Sequence, residues 1–228
     1  MTLHFRFCLL VFCLLPALSA QATDWNVFMV GDSHVCSKIY PEKVEAVVES
    51  HEHGVSFSFF GKIGAGFYTY NESPDMMREI YEAVPDILVV HLGTNDSFTS
   101  RFSPAKFLAD VEVFYGRVES RFPDCRVVFV TPFFNRLPKS KKSNKNTRRC
   151  ADALLEFASS RSNAFVIDNN ADFGMFFLKN STTMMRHDCV HLTEQGYEAL
   201  GRQVGEALVA IDDLWLLAEP PYLPSEAN

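Results

Sequence analysis

The sequence lacks a C-x-x-C pair, and beyond its N-terminus it has no continuous run of 18 apolar residues. The first absence argues against a zinc ribbon, and the second argues against a membrane-spanning helix in the rest of the chain. Positive charge is also scarce, since 21 lysine and arginine residues face 28 aspartate and glutamate residues, giving a formal net charge of -7. That balance argues against nucleic acid as the main partner, because nucleic acid is bound through clustered positive charge.

The first 22 residues have the layout of a secretory signal peptide. Arg6 precedes an apolar stretch over residues 7–15, and small residues then lead to an A-x-A sequence at residues 20–22. The apolar stretch is too short to span a bilayer comfortably, and a retained anchor helix is the alternative. We therefore expect a signal peptide over residues 1–22 that is cleaved, export to the periplasm or the medium, and no stable membrane insertion afterwards.

The remaining chain alternates predicted strands with predicted helices. Short runs rich in apolar and β-branched residues predict strands at Trp25–Val30, Val55–Phe60, Asp86–Leu92, Arg126–Val130 and Ala164–Ile167. Helical signals lie between them, at residues 41–50, 73–83, 103–118 and 151–159, and from Thr193 onward. The pattern predicts an α/β fold, a three-layer, doubly wound sandwich around a central, mostly parallel five-stranded sheet. We expect one domain over residues 23–218 and a loose, Pro-rich tail over residues 219–228.

Polar residues and glycines follow the predicted strands at the points where the strands end. The sequence has GDSH at 31–34, GKIGAG at 61–66 and GTND at 93–96, and DCVH at 188–191 precedes the last predicted helix. In an open α/β sheet, ligands bind at the carboxyl ends of the strands. We therefore expect these four segments to converge on one edge of the sheet.

The four segments resemble the sequence blocks of the SGNH branch of the GDSL hydrolases. That family has GDS after its first strand, a glycine after its second, GxND after its third and DxxH near its C-terminus, and all four occur here in the same order. Together they bracket nearly the whole chain after the expected signal peptide. The resemblance implies an SGNH hydrolase-like, flavodoxin-like fold and an ester hydrolase that uses a serine nucleophile.

The resemblance also implies a role for each site residue. Ser33 is expected to be the nucleophile, His191 the base that takes its proton, and Asp188 the carboxylate that orients the imidazole and stabilises the imidazolium. The attacked carbonyl becomes an oxyanion that needs fixed donors, for which the resemblance implies the backbone N–H groups of Ser33 and Gly64 and the side-chain amide of Asn95. The alternatives are a simple helix cap for Ser33 and an Asx turn for Asn95. No metal and no organic cofactor is expected.

Other polar residues near these segments have structural interpretations. Asp32 and Asp96 are expected to brace the catalytic loops through hydrogen bonds. His34 adjoins the nucleophile in sequence, which argues against a role as the base and favours a substrate-side or structural role. His91 lies in a predicted strand and is expected to be packed and hydrogen-bonded.

The sequence defines the chemistry more closely than the substrate. GDSH together with GxxGA is similar to bacterial cell-envelope enzymes that remove O-acetyl groups from peptidoglycan or another polysaccharide, and export agrees with such a substrate. Phe67, Tyr68 and Tyr70 follow the second segment and are candidates either to stack on sugar rings or to line a pocket for a longer acyl chain. A lipase- or thioesterase-type hydrolase, an acyltransferase and a glycan-binding protein on the same scaffold therefore stay open. We expect a small-molecule or polysaccharide ester as the partner, and a monomer.

Four cysteines follow the expected signal peptide, at positions 36, 125, 150 and 189. In an exported protein an even number of cysteines permits disulfides. Cys36 lies three residues after Ser33, and Cys189 lies inside the DCVH segment. A contact between nucleophile and base would bring these two sulfurs into one neighbourhood. We predict a Cys36–Cys189 disulfide, with free thiols as the alternative.

The segment Arg136–Arg149 contains seven lysine and arginine residues and no acidic residue. We expect a loop that leaves the carboxyl end of the fourth strand, on the same edge of the sheet as Ser33. Such a loop would either be solvated or attract a polyanionic glycan by electrostatic steering.

Overall fold

The structure is a computed structural model, and it describes residues 25–51, 54–100, 102–133, 140–170 and 181–215. The predicted signal peptide and the predicted Pro-rich tail lie outside the described residues.

A single sheet of five strands organises the described residues. Its strands are β1 (Trp25–Gly31), β2 (Val55–Gly61), β3 (Ile87–His91), β4 (Arg126–Val130) and β5 (Ala164–Ile167). They lie in the order β2-β1-β3-β4-β5, and each neighbouring pair is parallel. The predicted α/β fold is thereby confirmed, and the sheet, predicted to be mostly parallel, is parallel at each of these pairs. The strand order reverses beside β1, which is where such folds bind their ligands.

Helices cover both faces of this sheet. They are α1 (Ile39–His51), α2 (Phe67–Glu72), α3 (Pro74–Ala83), α4 (Thr94–Phe98), α5 (Pro104–Arg121), α6 (Ser140–Ser159), α7 (Ser181–Met184), α8 (Glu194–Ala210) and α9 (Asp212–Trp215). Two of them begin with the same signal, because Ser73 caps α3 and Ser103 caps α5, and a proline follows each cap.

The residues of β1 alternate between the two faces of the sheet. Phe28 and Val30 pack in the core that includes α2, α3, α5 and α6, whereas Val27 and Met29 pack in the core that includes α1 and α8. Successive side chains of a strand point to opposite faces, so a strand buried on both sides must be apolar at every position. This two-sided packing fixes the carboxyl end of β1, where the GDSH segment begins.

Helix α6 begins at Ser140, which is earlier than the sequence predicts. Residues 140–149 are therefore helical, and the prediction of a loop is wrong for that part of the basic segment. The rest of the segment, residues 136–139, lies outside the described residues.

The early turns of α6 are held by buried polar contacts. Asn146 Nδ2 donates to the carbonyl oxygen of Ser97 at 3.0 Å, and Thr147 Oγ1 lies 3.3 Å from Ser97 Oγ. Both α6 side chains are buried against α4. Hydrophobic periodicity does not register polar residues as buried, so it predicts the start of this helix too late.

Two of the three aromatic residues considered for ligand contact belong to the core instead. Phe67 and Tyr70 are fully buried, because α2 turns residues three apart onto one face. The Tyr70 hydroxyl donates to the carbonyl oxygen of Gly31 at 3.2 Å. The prediction that these two side chains meet a ligand is therefore wrong, whereas Tyr68 is half-buried.

Candidate functional site

The structure brings Ser33, His191 and Asp188 together. Ser33 Oγ lies 2.9 Å from His191 Nε2, and His191 Nδ1 lies 2.7 Å from Asp188 Oδ2. Ser33 stands in the turn that follows β1, while the other two residues stand in the loop before α8, whose first turn is capped by Thr193. A hydroxyl, an imidazole and a carboxylate in one hydrogen-bonded row can activate the hydroxyl as a nucleophile.

Backbone hydrogen bonds hold the Asp188–His191 segment in a tight turn. Asp188 Oδ1 accepts the backbone N–H groups of Val190 and His191, each at 2.9 Å. Cys189 between them adopts a positive φ of 61°. The chain on either side is paired, since Arg186 N–H donates to the carbonyl oxygen of His191 at 2.8 Å. The carboxylate and the imidazole are thus presented by one small, self-supporting unit.

The same hydrogen bonds keep Asp188 ionised. Its partial burial acts to raise its pKa, but the backbone N–H groups of Val190 and His191 and the His191 side chain together lower the pKa of Asp188 to about 2. A carboxylate that stays charged can stabilise a positive charge on the neighbouring imidazole.

Asp32 connects the turn after β1 to the GTND segment. It is fully buried; its Oδ1 accepts the backbone N–H of His34 at 2.9 Å, and its Oδ2 lies 3.3 Å from Asn95 Nδ2. Asn95 Nδ2 also donates to the carbonyl oxygen of Ala65 at 2.9 Å. Burial raises the pKa of Asp32 to about 7, against the lowering effect of the His34 N–H. The amide of Asn95 therefore stands between the Ser33 turn and the glycine segment.

The three glycines at 61, 64 and 66 differ in what surrounds them. A Cβ at Gly61 would lie 2.5 Å from the backbone nitrogen of Cys36, and one at Gly66 would lie 2.5 Å from the Asp96 carboxylate. Gly64 has a φ of +78° and faces open space among the described residues. The first two glycines are required by packing, whereas Gly64 is exposed and its positive φ favours a glycine.

Asp96 holds the neighbouring helix α2. It is buried, and the backbone N–H groups of Asp96 itself and of Phe67 act to lower its pKa, but burial outweighs them and raises the pKa to about 6. Because its carboxylate sits against Gly66, it connects α4 to the start of α2. Asp96 thus lies beside the glycine segment and behind Asn95.

Tyr197 is a site residue that the sequence does not reveal. Its position predicts only a member of the apolar stripe of α8, yet its hydroxyl lies 3.2 Å from Nδ1 of the buried His34. Burial raises the pKa of Tyr197, and the backbone N–H of Leu192 opposes that rise. The phenol oxygen therefore lies between the residue that follows Ser33 and the residue that follows His191.

His34 and His91 are packed in the core behind the site. The His34 ring lies 5.6 Å from the His191 ring and 5.9 Å from the His91 ring, measured between centroids. His91 Nδ1 lies 3.0 Å from the hydroxyl of Tyr40. Burial lowers the pKa of both inner histidines, that of His91 to about 3. Neither ring is placed to contact a substrate.

A cleft of about 380 Å³ opens over Ser33 and His191. Its lining residues are Ser33, Cys36, Ser37, Ile63, Arg186, His191 and Tyr197. Ile63 is 77% exposed, which is unusual for an isoleucine. A second cavity, of about 320 Å³, lies on the far side of Asp96 and includes Tyr68.

The predicted Cys36–Cys189 disulfide is not formed. The cysteines among the described residues are free thiols. The Cys189 sulfur lies 3.4 Å from the carbonyl oxygen of His187, whereas the Cys36 sulfur packs against Gly61 and the backbone N–H of Ile63. The two residues are near the same site, but their side chains have different neighbours.

Within the described ranges no helix is both long enough and apolar enough to cross a membrane. The same residues contain no cluster of three or more potential metal ligands.

Comparison with known proteins gives one family match. The model of the GDSL-like lipase/acylhydrolase family matches residues 30–199, which span all four sequence segments. The search of curated proteins found no match.

Several solved structures share the fold. A catalytic mutant of an acetylxylan esterase from Geobacillus stearothermophilus is 14% identical, with a TM-score of 0.68 over 86% of this chain and 98% of that chain. An acetyl xylan esterase is 17% identical, with a TM-score of 0.64 over 80% and 98% of the two chains. A lipase/acylhydrolase from Enterococcus faecalis is 16% identical, with a TM-score of 0.57 over 81% and 95%. At identities of 14–17%, these comparisons show that the fold is shared.

Proposed function

Because the chain belongs to the GDSL-like lipase/acylhydrolase family, we propose that it is an exported serine esterase that removes O-acetyl groups from a carbohydrate. The observation that carries this proposal is the distance of 2.9 Å between Ser33 Oγ and His191 Nε2. Asp188 supports it, because a carboxylate on the far nitrogen fixes the orientation of the imidazole.

In the proposed reaction, His191 Nε2 takes the proton of the Ser33 hydroxyl as the oxygen attacks the ester carbonyl. Asp188 stabilises the imidazolium through the Nδ1–H bond. The tetrahedral intermediate then collapses, the alcohol leaves with the proton from Nε2, and an acyl group stays on Ser33. Water, deprotonated by His191, attacks this acyl-enzyme and releases the carboxylic acid, which restores both residues.

The proposed oxyanion hole consists of the Ser33 and Gly64 backbone N–H groups and the Asn95 side chain. Gly64 is exposed and a Cβ there would meet no atom within 4 Å, so a ligand can approach its backbone, which supports the proposal. Asn95 Nδ2 is held by Ala65 at 2.9 Å and only loosely by Asp32 at 3.3 Å. An oxyanion would take over the hydrogen of this longer bond, at little cost. Asp32 and Asp96 are proposed to brace the segments that carry these donors.

The proposed substrate class is an acetylated sugar, such as a residue of peptidoglycan or of another envelope polysaccharide. Two of the similar structures are described as esterases of acetylated xylan, which supports a carbohydrate ester. Phe67 and Tyr70 are in the core and do not line a tunnel for a long acyl chain, which favours a short one. The signal-like residues 1–22 support export, and we expect the protein to act as a monomer.

Release of acetate tests the proposal. The purified protein is incubated with O-acetylated peptidoglycan, O-acetylated xylan and p-nitrophenyl acetate, and free acetate is measured. We expect release from at least one of the two polysaccharides and none with Ser33→Ala. Hydrolysis of p-nitrophenyl acetate without release from either polysaccharide would contradict the proposed substrate class.

A further inference from the structure

Arg186 is fixed next to the proposed catalytic base. Its backbone N–H donates to the carbonyl oxygen of His191 at 2.8 Å, and its own carbonyl oxygen accepts the N–H of Cys189 at 3.0 Å. The adjacent residues Met185 and Leu192 form an antiparallel bridge. The backbone of Arg186 is therefore held in register with that of His191, and its side chain lines the same cleft as Ser33.

The charge of Arg186 is not neutralised by the described residues. Its side chain is exposed and forms no ion pair with any of them. Asp188, the nearest carboxylate along the chain, is bound to His191. Burial raises the pKa of the Tyr197 phenol and the positive charge of Arg186 opposes that rise, which places the guanidinium close to the phenol that lines the cleft.

A second cation, Lys62, acts on a residue that lines the cleft. Lys62 is exposed and is not paired with a carboxylate of the described residues. Its charge acts on the thiol of Cys36, another residue of the cleft lining. Ile63 follows it and presents an exposed apolar side chain to the cleft. A chain with a formal net charge of -7 thus has an arginine in the lining of the cleft that contains Ser33, and that arginine forms no ion pair with the described residues.

We propose that this cleft recognises the carboxylate of an acidic sugar, with Arg186 as the group that binds it. A guanidinium presents a planar fork that matches a carboxylate with two parallel hydrogen bonds. Ile63 offers an apolar surface to the C–H face of a pyranose ring. The inference rests on the proposed function and narrows its substrate, since the acetyl ester would be carried by a sugar acid rather than by a neutral sugar.

A matched pair of substrates tests this inference. Monoacetylated methyl glucuronide and monoacetylated methyl glucoside share the ring and the ester but differ in the carboxylate at C6. We expect the parent protein to show a kcat/KM at least tenfold higher for the glucuronide. In Arg186→Gln the ratio of the two kcat/KM values should fall about tenfold, mainly through a higher KM for the glucuronide, because the lost contact exists in both ground and transition states.

Two further variants distinguish the effect of the Arg186 guanidinium on the substrate preference from the effect of positive charge in general. Arg186→Lys keeps the positive charge but loses the fork, so we expect it to restore only part of the preference. Arg78→Gln removes the same charge from α3, where the side chain does not line the cleft, and should keep the parent ratio. Circular dichroism and thermal unfolding establish that each variant is folded.

The outcomes distinguish the inference from the proposed function. Equal kcat/KM for both glycosides in the parent, a ratio unchanged by Arg186→Gln, or an equal fall in Arg78→Gln would overturn the inference. Hydrolysis of p-nitrophenyl acetate with no cleavage of either glycoside would overturn it as well. Failure of the parent to release acetate from any ester, p-nitrophenyl acetate included, would instead contradict the proposed function.

Discussion

The hydroxyl of Tyr197 lies 3.2 Å from Nδ1 of His34, and this contact joins α8 to the turn that presents Ser33. The same oxygen lies beside the backbone N–H of Leu192, directly after His191. One phenol therefore touches both chain segments that must meet for the nucleophile and the base to be in contact. We infer that Tyr197 is a positioning residue, which acts through the residues that it contacts.

We expect Tyr197→Phe to lower kcat by roughly tenfold, which is less than the ~100-fold that a 1 Å misplacement can cost. KM should change little, because the variant disturbs the alignment of Ser33 with His191 and removes no contact to the substrate. The free energy of unfolding should also fall, by about 1–3 kcal/mol, since the buried Nδ1 of His34 loses its partner. Steady-state kinetics with p-nitrophenyl acetate and urea unfolding measure the two effects.

Tyr40→Phe is the matched control for that variant. It removes another buried phenol from a buried histidine, at 3.0 Å from His91 Nδ1. The loss of stability should be similar, but kcat should be kept, because Tyr40 does not contact the loop of His191. Equal losses of kcat in both variants would show that Tyr197 has no specific positioning role.

Replacing either reacting group should abolish turnover. We expect Ser33→Ala and His191→Ala each to lower kcat by at least ~1,000-fold, since the two residues act as one unit. Ser33 and His191 are only partly buried, so the fold should survive, which circular dichroism verifies. Ser120→Ala, on the exposed face of α5, is the control. Near-normal turnover by either active-site variant would refute the assignment.

The strands, and the meeting of Ser33, Asp188 and His191, could be predicted from the sequence on different grounds. A central parallel strand such as β3 is apolar from Ile87 to Val90, which is typical of a strand that helices cover on both faces. Ser33, Asp188 and His191 stand in short segments that resemble the sequence blocks of a known family. These signals are local, so they can be read without knowing which residues meet.

The sequence-based predictions were wrong or incomplete where the structure depends on contacts between residues that are far apart in the sequence. The early turns of α6 are held by polar contacts from Asn146 and Thr147 to Ser97, which no hydrophobic pattern reveals. Tyr197 resembles an ordinary core residue because its one polar atom has a partner more than 160 residues away. The disulfide prediction followed from proximity alone, whereas the direction of a side chain depends on backbone angles such as the positive φ of Cys189.

Acyl-chain length should separate an acetylesterase from a lipase. With p-nitrophenyl esters of increasing length, we expect kcat/KM to be highest for acetate and to fall for chains of about eight carbons or more. The reason is that the aromatic side chains Phe67 and Tyr70 are packed in the core, so they do not line a binding site for a long acyl chain. A maximum at long chains would favour the lipase alternative.

Burial of His91 predicts a specific dependence of stability on pH. Its pKa is lowered by burial to about 3, from about 6.5 when exposed. Below about pH 6.5 the unfolded chain gains a proton here that the folded protein does not bind, so stability is lost as the pH falls towards 3. The loss is up to ~1.4 kcal/mol per pH unit. His91→Gln should remove this part of the slope, and urea unfolding across that range measures it. Parallel curves for parent and variant would contradict the prediction.

Asp188 and His191 lie in one short turn, and the hydrogen bonds within that turn hold the carboxylate and the imidazole together. Any displacement of that turn changes the distance from His191 to Ser33 but leaves the distance from His191 to Asp188 as it is. The contact between Ser33 and His191 is therefore the one contact of this row that joins two separate parts of the fold, the turn after β1 and the loop before α8. A molecule that binds between the turn after β1 and the loop before α8 would separate Ser33 from His191. It would inactivate the enzyme although Asp188 and His191 stayed in contact.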